Sequence, residues 1–495
     1  MTPEDPSTEF ADRQLAEAWG ARGAAVPADH AWFGHPRGLA TLFFTEMWER
    51  FSYYGMRAIL ILFMTAAATG TNPGLGFEDG QAAAIYGLYT GLVYLMALPG
   101  GWVADKLWGL RKAVFVGGCI IAAGHFSLAI PSMPTFYVGL LLIVTGTGLL
   151  KPNISAIVGD LYPEGGARRD AGYSVYYMGI NLGAFLGPIL VGLFGENYNW
   201  HWGFSLAGIG MIFGVIQYRL GMKHLGSAGM FDPEERSIVI RRARNFYITL
   251  GVVGLLAIGA VYLAVVVLGI DLQRIARGLG VAIVALTIAY FAYLLIAGGH
   301  TSLEKRRLLV IFWLFVLAAL FWSGFEQAGS SLNLFAERLT DRVVLGWEAP
   351  ASWLQSVNAI FIILLAPVFG SIWTWLAHRR ANPSIPVKFG LGLIGLAAGF
   401  FVLAWGAANA SAENPVSPSW LVVTYFLHTC GELALSPVGL SSISKLAPRS
   451  RVGQMMGIWF VATALGNLIA GLVAGMLETL PPSDIFRTVA IIVGG

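Results

Sequence analysis

Hydrophobic and polar positions fall in long blocks along this chain rather than at a two- or four-residue period. Apolar stretches of about 20 residues recur along nearly the whole sequence, and a helix of that length crosses a hydrocarbon core of about 30 Å. Short polar segments separate the stretches. Because backbone in lipid must satisfy its own hydrogen bonds, we expect each stretch to be a helix. The pattern predicts a membrane protein built from helices.

The blocks predict six spans, an inserted pair, and six more spans. The spans lie near 38–68, 81–104, 113–131, 135–160, 170–195 and 201–221, then 246–268 and 277–299, then 308–338, 351–377, 387–406, 418–446, 452–477 and from 485. Because the segment from 485 to 495 is too short to cross at 1.5 Å per residue, we expect the chain to end inside its last helix. The predicted parts are a cytosolic tail (1–37), an N-terminal six-helix bundle (38–221), a cytosolic linker with two inserted transmembrane helices (222–306) and a C-terminal six-helix bundle (307–495).

Composition strengthens the membrane assignment. Of 495 residues, 56% are hydrophobic and 12% charged, against about 25% charged in an ordinary soluble domain. Mean hydropathy is +0.67. The first 35 residues are polar and lack an apolar run after a basic start, so they predict a cytosolic tail rather than a signal peptide. Little of the chain remains for a soluble domain.

Positive charge alternates between loops and predicts the orientation. Lys and Arg cluster in every second loop, for example at Lys106, Arg111 and Lys112, at Arg241, Arg242 and Arg244, and at Lys305, Arg306 and Arg307. Such loops face the cytoplasm in membrane proteins. The segment 72–80 on the opposite side carries only Glu78 and Asp79 as charged residues. We therefore expect both termini to be cytoplasmic.

The first predicted span carries charges where charges are costly. Six polar residues fall within an arc of about 140° on one helix face: Glu46, Glu49, Arg50, Tyr53, Tyr54 and Arg57. Glu46 and Arg50 are four residues apart and can pair. The set could be an ion-pair ladder between packed helices. It contains more charges and phenols than a ladder needs, so we favour a face that lines a cavity.

Further isolated polar residues lie in other spans: Lys151, Asn153, Asn181, Glu326, Gln327 and Glu432. Together with the first span they predict a cavity with both signs of charge, which suits a zwitterion. Its carboxylates could also carry a proton. Aromatic candidates for the walls are Tyr53, Tyr54, Tyr94, Trp322, Trp459 and Phe460, although packing is the more ordinary role for any one of them.

The two halves of the chain echo each other. Pro152, Leu161 and Pro163 recur at one constant offset as Pro437, Leu446 and Pro448, although chance matches among prolines and glycines are an alternative. Duplicated halves are typical of transporters that work by alternating access, with the substrate site between the halves.

Several motifs resemble the proton-coupled oligopeptide transporter family of the major facilitator superfamily. The run from Glu46 to Gly55, EMWERFSYYG, is similar to the family's ExxERFxYYG element, and the loop from Gly101 to Lys112 resembles that of the superfamily. Tyr173 to Phe185 resembles the fifth-helix signature, and Gly431 to Pro437 the tenth-helix motif. The likeness extends from the first to the eleventh helix.

The resemblance implies that di- and tripeptides are taken up with protons. Arg57 and Lys151 would bind the peptide carboxylate, and Glu432, with Asn181 and Asn358, the amino end. It assigns proton coupling to Glu46, Glu49, Arg50, Lys151 and Glu326. The implied substrate pocket comprises Arg57, Tyr53, Tyr54, Tyr94, Lys151, Asn153, Asn181, Trp322, Asn358, Glu432, Ser436 and Trp459. It further implies a bacterial inner-membrane protein, monomeric, with no cofactor besides the proton gradient and no nucleic-acid partner.

Two departures refine the resemblance. Gly87 stands where animal members carry a histidine, so proton coupling would rely on carboxylates. Only the short segment 406–419 stands where animal members have a large outer domain, which favours the bacterial type. The open alternative is a relative that moves nitrate or another small anion on the same fold. An enzyme is disfavoured because none of the eight His pairs with His or Cys at metal-ligand spacing, and a channel does not need opposed charges.

Overall fold

The computed structural model describes residues 31–163, 166–230, 236–263, 267–448 and 451–495. Most of the predicted cytosolic tail, residues 1–30, lies outside them. The described residues form sixteen α-helices: α1 (Arg37–Thr65), α2 (Asp79–Leu95), α3 (Ala97–Val103), α4 (Leu110–Leu128), α5 (Met133–Asp160), α6 (Gly166–Asn197), α7 (Trp200–Gly221), α8 (Arg236–Tyr262), α9 (Leu272–Ile296), α10 (Ser302–Phe325), α11 (Ser331–Leu339), α12 (Ser356–His378), α13 (Ile385–Ala408), α14 (Ser419–Leu446), α15 (Val452–Ala474) and α16 (Pro482–Gly494). Nine helical segments in these ranges are long and apolar enough to cross a membrane by length and composition.

Each predicted span coincides with one helix or two consecutive helices, but three differ in detail. The span predicted at 308–338 is not one helix, because α10 ends at Phe325 and a 3₁₀ turn (Glu326–Gly329) precedes α11. The span at 81–104 is divided between α2 and α3 and continues into a π-helical turn (Ala104–Trp108). Helix α8 begins at Arg236, before the predicted position 246. Hydropathy detects only the part of a helix that is apolar enough for lipid. Arginine and alanine are good helix formers, so the helix continues outside that part.

Side chains stabilise both the break after α10 and the helix starts. The Gln327 amide donates to the Ser323 carbonyl at 3.2 Å and accepts from the Ser331 hydroxyl at 2.7 Å. Thr301 and Glu304 form a reciprocal capping box at the start of α10. Asp271 caps α9 by accepting from the Arg274 backbone N–H at 2.6 Å. Glu326 therefore lies at a helix break with defined geometry.

The chain divides into two compact units. The first comprises the described residues up to Tyr53, Met96–Ala184 and Ser205–Val252; the second comprises Tyr54–Leu95, Phe185–Phe204 and the described residues from 253 onward. In the first unit α4 packs closely on α5, since a Cβ added at Gly124 or Gly139 would lie within 2.9 Å of the other's carbonyl oxygen. In the second unit α13 packs on α14 and α16, and α2 on α15. The predicted bundle boundaries stay a prediction.

A small hairpin interrupts the helices of the second unit. Strands β1 (Val343–Val344) and β2 (Trp347–Glu348) pair antiparallel, with Val343 opposite Glu348. Leu345 and Gly346 between them both have positive φ, as a two-residue type I′ turn requires. The remaining secondary structure in the described ranges is helical, apart from isolated bridges.

Candidate functional site

The predicted site residues divide between the two units, and each unit is described by itself. The first unit contains Glu46, Glu49, Arg50, Tyr53, Lys151, Asn153 and Asn181. The second contains Tyr54, Arg57, Tyr94, Trp322, Glu326, Asn358, Glu432, Ser436 and Trp459. Helix α1 supplies charged residues to both units.

Arg50 is the centre of the charged cluster in the first unit. Its guanidinium donates twice to the Glu49 carboxylate, once from NH2 at 2.7 Å and once from Nε. Nε also lies 3.3 Å from Glu46 Oε1, which confirms the pairing predicted from the four-residue spacing. All three residues are buried. Two buried carboxylates thus share one guanidinium. A proton on either carboxylate would make the net charge of these three groups zero.

Other groups of the first unit lie close to this cluster. Tyr53 is buried with its ring centroid 4.9 Å from the Arg50 guanidinium carbon. Lys151, half-buried on α5, interacts electrostatically with Glu46. With the lysine counted, the cluster holds two cations and two carboxylates. The structure therefore brings Lys151 to the charges of α1, as the resemblance implies.

Asn153 and Asn181 are buried with their amides against the backbone. The Asn153 amide donates to the Leu149 carbonyl at 2.6 Å and the Gly100 carbonyl at 3.3 Å. The Asn181 amide donates to the Tyr177 carbonyl at 2.9 Å. The Asn181 amide is bonded within its own helix, whereas the Asn153 amide bonds both its own helix and α3. Their part in binding substrate stays a prediction.

Arg57 is the centre of a different cluster in the second unit. Its NH2 lies 2.7 Å from Glu326 Oε2, and its Nε donates to the Tyr86 hydroxyl at 2.5 Å. Its guanidinium carbon lies 5.7 Å from the ring centroid of Tyr54. Arg57, Glu326 and Tyr86 are all buried. One guanidinium is thus shared between a carboxylate and a phenol from elements distant in sequence.

The helix break beside Glu326 leaves space for the side chains of Arg57 and Tyr86. A Cβ added at Gly329 would overlap the Tyr86 hydroxyl and lie 2.9 Å from Arg57 Nε. Only glycine leaves that space open. The 3₁₀ turn thus places Glu326 and a backbone without a side chain against the same guanidinium.

Glu432 lies within a weaker polar group of the second unit. Its Oε2 is 3.5 Å from the Asn358 amide nitrogen, at the limit of a hydrogen bond. The Asn358 amide donates more closely to the Thr429 hydroxyl, at 2.9 Å. Glu432 is half-buried on α14 and interacts electrostatically with Glu326. An amino group would find an acceptor here.

The remaining predicted residues of the second unit include two unsatisfied polar groups. Among the described residues, the buried Trp322 indole N–H and Ser436 hydroxyl have no hydrogen-bond partner. Trp459 is buried and Tyr94 half-buried. Buried donors normally find partners, so Trp322 and Ser436 are groups that a ligand could satisfy. In the same ranges, no three His, Cys, Asp or Glu side chains are grouped as metal ligands would be.

Comparison with known proteins decides the family. A model of the POT family matches residues 111–488. A peptide transporter of Yersinia enterocolitica, YePEPT, is 43% identical over 486 residues and 94% of each chain. A di-/tripeptide transporter of Lactococcus lactis subsp. cremoris is 38% identical over 471 residues, again 94% of each. The chain belongs to the POT family.

Solved POT-family structures agree. The crystal structure of peptide transporter POT in complex with sulfate is 39% identical, covers 98% of this chain and 96% of its own, and has a TM-score of 0.86. A POT family transporter in complex with 5-aminolevulinic acid is 35% identical, with coverages of 94% and 95% and a TM-score of 0.85. The family resemblance is confirmed, and so is the fold class of two six-helix bundles with two extra helices.

Tyr86 is one of two residues of these charged clusters that sequence reasoning missed in this POT-family chain. It lies outside the quoted motifs, on an apolar helix where packing accounts for an aromatic residue. The available signal was its spacing from Tyr89, since two phenols three residues apart share a helix face. Tyr176 was missed too; it is buried and interacts with Glu46. Neither could be assigned a partner from sequence.

Proposed function

We propose that this chain is a proton-coupled symporter that imports di- and tripeptides by alternating access. Relatives at 43% and 38% identity are described as peptide and di-/tripeptide transporters. One solved relative is in complex with 5-aminolevulinic acid, a small molecule with an amine and a carboxylate. Buried groups of both signs in this chain match that chemistry.

The buried Arg57–Glu326 pair carries the proposal. A proton on Glu326 removes the charge that holds Arg57, and the released guanidinium can bind a peptide carboxylate bidentately. A peptide carboxylate bound to Arg57 in turn weakens the ion pair between Arg57 and Glu326. That change favours protonation of Glu326. Protonation and peptide binding are thereby linked through one guanidinium. Glu432 beside Asn358 is the proposed acceptor of the peptide amino group.

The other roles are proposed on the family's pattern. Glu46, Glu49 and Arg50 couple proton movement to Lys151, which the electrostatic interaction of Lys151 with Glu46 supports. The unsatisfied Trp322 and Ser436 groups support their place in the pocket. The aromatic and asparagine side chains predicted above line the rest of the substrate pocket. We also propose that the protein is a monomer in a bacterial inner membrane and that both of its termini are cytoplasmic. It would consist of the four predicted parts of the sequence and would need no cofactor.

The test is uptake of labelled dialanine by the purified protein in liposomes. We expect accumulation only when the outside is more acidic than the lumen. Glu49→Gln should abolish the dependence on that gradient but retain exchange of labelled for unlabelled peptide, because the peptide-binding groups are intact. Glu337→Gln, the same change at an exposed carboxylate, is the matched control and should accumulate peptide normally.

Two results would contradict the proposal, and a third would contradict the role given to Glu49. Uptake that ignores the proton gradient would exclude symport. Nitrate uptake without dialanine uptake would favour the small-anion alternative. A Glu337→Gln variant as impaired as Glu49→Gln would show that loss of any carboxylate suffices, and the role of Glu49 would fall.

A further inference from the structure

The first part of α8 extends beyond any lipid-crossing segment. The helix begins at Arg236, whereas the apolar run begins near position 246. Ten residues correspond to about 15 Å of helix outside the hydrocarbon core. Arg241 and Arg244 are exposed there and, three residues apart, share one face. The transport proposal gives this inserted segment no task.

Aromatic contacts fix this segment to the turn that follows α3, within the first unit. The Trp108 indole N–H donates to the Tyr247 hydroxyl at 2.9 Å. The rings of Trp102 and Phe246 lie 5.3 Å apart. Phe246 also packs against a small buried cluster that includes Leu107. Helix α8 and the turn therefore form one continuous surface.

The turn and the start of α4 each add one lysine to the arginines of α8. Lys106 and Lys112 are exposed, and the Lys112 ammonium lies 5.6 Å from the Trp108 ring centroid. Asp105 is the acidic residue between Ala104 and Gly109. We define the α8 basic surface as Lys106, Trp108, Lys112, Arg241, Arg244 and Tyr247. The surface so defined contains four cationic side chains.

Depth in the membrane indicates what this surface meets. Trp and Tyr side chains concentrate at the membrane–water interface. Arg244 and Arg241 precede Tyr247 by three and six residues, about 4.5 and 9 Å farther along the helix. If the bonded aromatic pair lies at the interface, the arginines lie among the lipid headgroups.

We propose that the α8 basic surface binds the headgroup of an anionic phospholipid. A guanidinium can donate hydrogen bonds to two oxygens of a phosphodiester. The positive charge of the surface attracts a headgroup with net negative charge more strongly than a zwitterionic headgroup. The inserted helix would thus tie the turn after α3 to the leaflet through lipid. This proposal does not depend on what the chain transports.

The test compares lipid retained by the purified full-length protein. Detergent-solubilised protein is exchanged against equal amounts of phosphatidylglycerol and phosphatidylcholine and washed, and bound lipid is quantified by mass spectrometry. We expect the wild type to prefer phosphatidylglycerol, and Arg241→Gln with Arg244→Gln to lower that preference about fivefold per arginine removed. The preference should also weaken at high salt.

The matched control is Arg306→Gln with Arg307→Gln, two exposed arginines on α10 in the second unit. It should keep the wild-type preference. An unchanged preference in the α8 variant, or an equal loss in the control, would overturn the proposal. If the α8 variant does not purify as a single species, Lys106→Gln with Lys112→Gln gives the same decision, with an unchanged preference again contradicting the proposal.

Discussion

Arg50 and Arg57 of α1 are both buried, but they find their partners differently. Arg50 pairs with Glu46 and Glu49 of its own helix, so its cluster exists once α1 has formed. Arg57 pairs with Glu326, which comes from a break after α10, and with Tyr86 of α2. Movement of α10 against α1 would separate the second pair and leave the first intact. The Arg57 pair is therefore suited to change with the transport state.

The clusters also differ in charge. Glu46 and Glu49 share one guanidinium, with Lys151 as a further cation nearby. Arg57 and Glu326 balance one another, with a phenol as the neutral third member. A proton on either Glu46 or Glu49 leaves Arg50 paired with the other carboxylate, whereas a proton on Glu326 removes the carboxylate that is ion-paired with Arg57. The first cluster is suited to store a proton, and the second to respond to one.

Arg50→Ala should have the largest effect. It leaves Glu46 and Glu49 buried without their guanidinium, and losing one partner of a buried ion pair costs about 3–5 kcal/mol. We expect a large fall in thermal stability in detergent, followed by the fluorescence of the 16 tryptophans. Adding Glu49→Gln should restore part of the loss, because only one carboxylate then lacks its partner.

Lys151 provides the internal check on that result. If Arg50→Ala alone were as stable as the wild type, the two carboxylates would not need Arg50 in order to stay buried, and Arg50 would not be the centre of the cluster. If the second change restored nothing, the loss would come from packing of the arginine rather than from charge.

The same comparison shows what the sequence could predict. The Glu46–Arg50 pair follows from local spacing and was found where expected, and each predicted span coincides with one helix or two consecutive helices. The pairing of Arg57 with Glu326 and Tyr86 did not follow, because nothing local links residues that far apart in sequence. The break at Glu326 was missed because hydropathy treats Gln327 and Ser331 only as polar residues that interrupt an apolar run. In the structure the two buried side chains are hydrogen-bonded to each other and stabilise the break. The sequence is most informative where partners lie within a helical turn.

Tyr86→Phe should have an intermediate effect and test whether Glu326 alone holds Arg57. Removing the phenol oxygen removes an acceptor for a charged donor, a bond that contributes about 1.5–3 kcal/mol. With Arg57 less well positioned, we expect the peptide KM to rise roughly tenfold with little change in maximal rate. Uptake kinetics in liposomes measure both.

Tyr173→Phe is the matched control for that change. It removes a phenol that donates to the Ser155 carbonyl at 3.2 Å in the first unit. Its KM should stay near the wild-type value. An unchanged KM in Tyr86→Phe would mean that Glu326 suffices to position Arg57.

Arg338→Gln should have a small effect, and it tests the importance of burial. Arg338 forms two hydrogen bonds to Asp79, at 2.6 and 2.8 Å, which match the Arg50 pair in geometry. Its side chain is 41% exposed, against 2% for Arg50. Solvent screening should limit the loss to about 0.5–1 kcal/mol, diminishing at high salt. Arg487→Gln, which removes a more exposed single-bond pair with Asp484, should lose less still. If Arg338→Gln proved as costly as Arg50→Ala, geometry rather than burial would set the cost of losing these ion pairs.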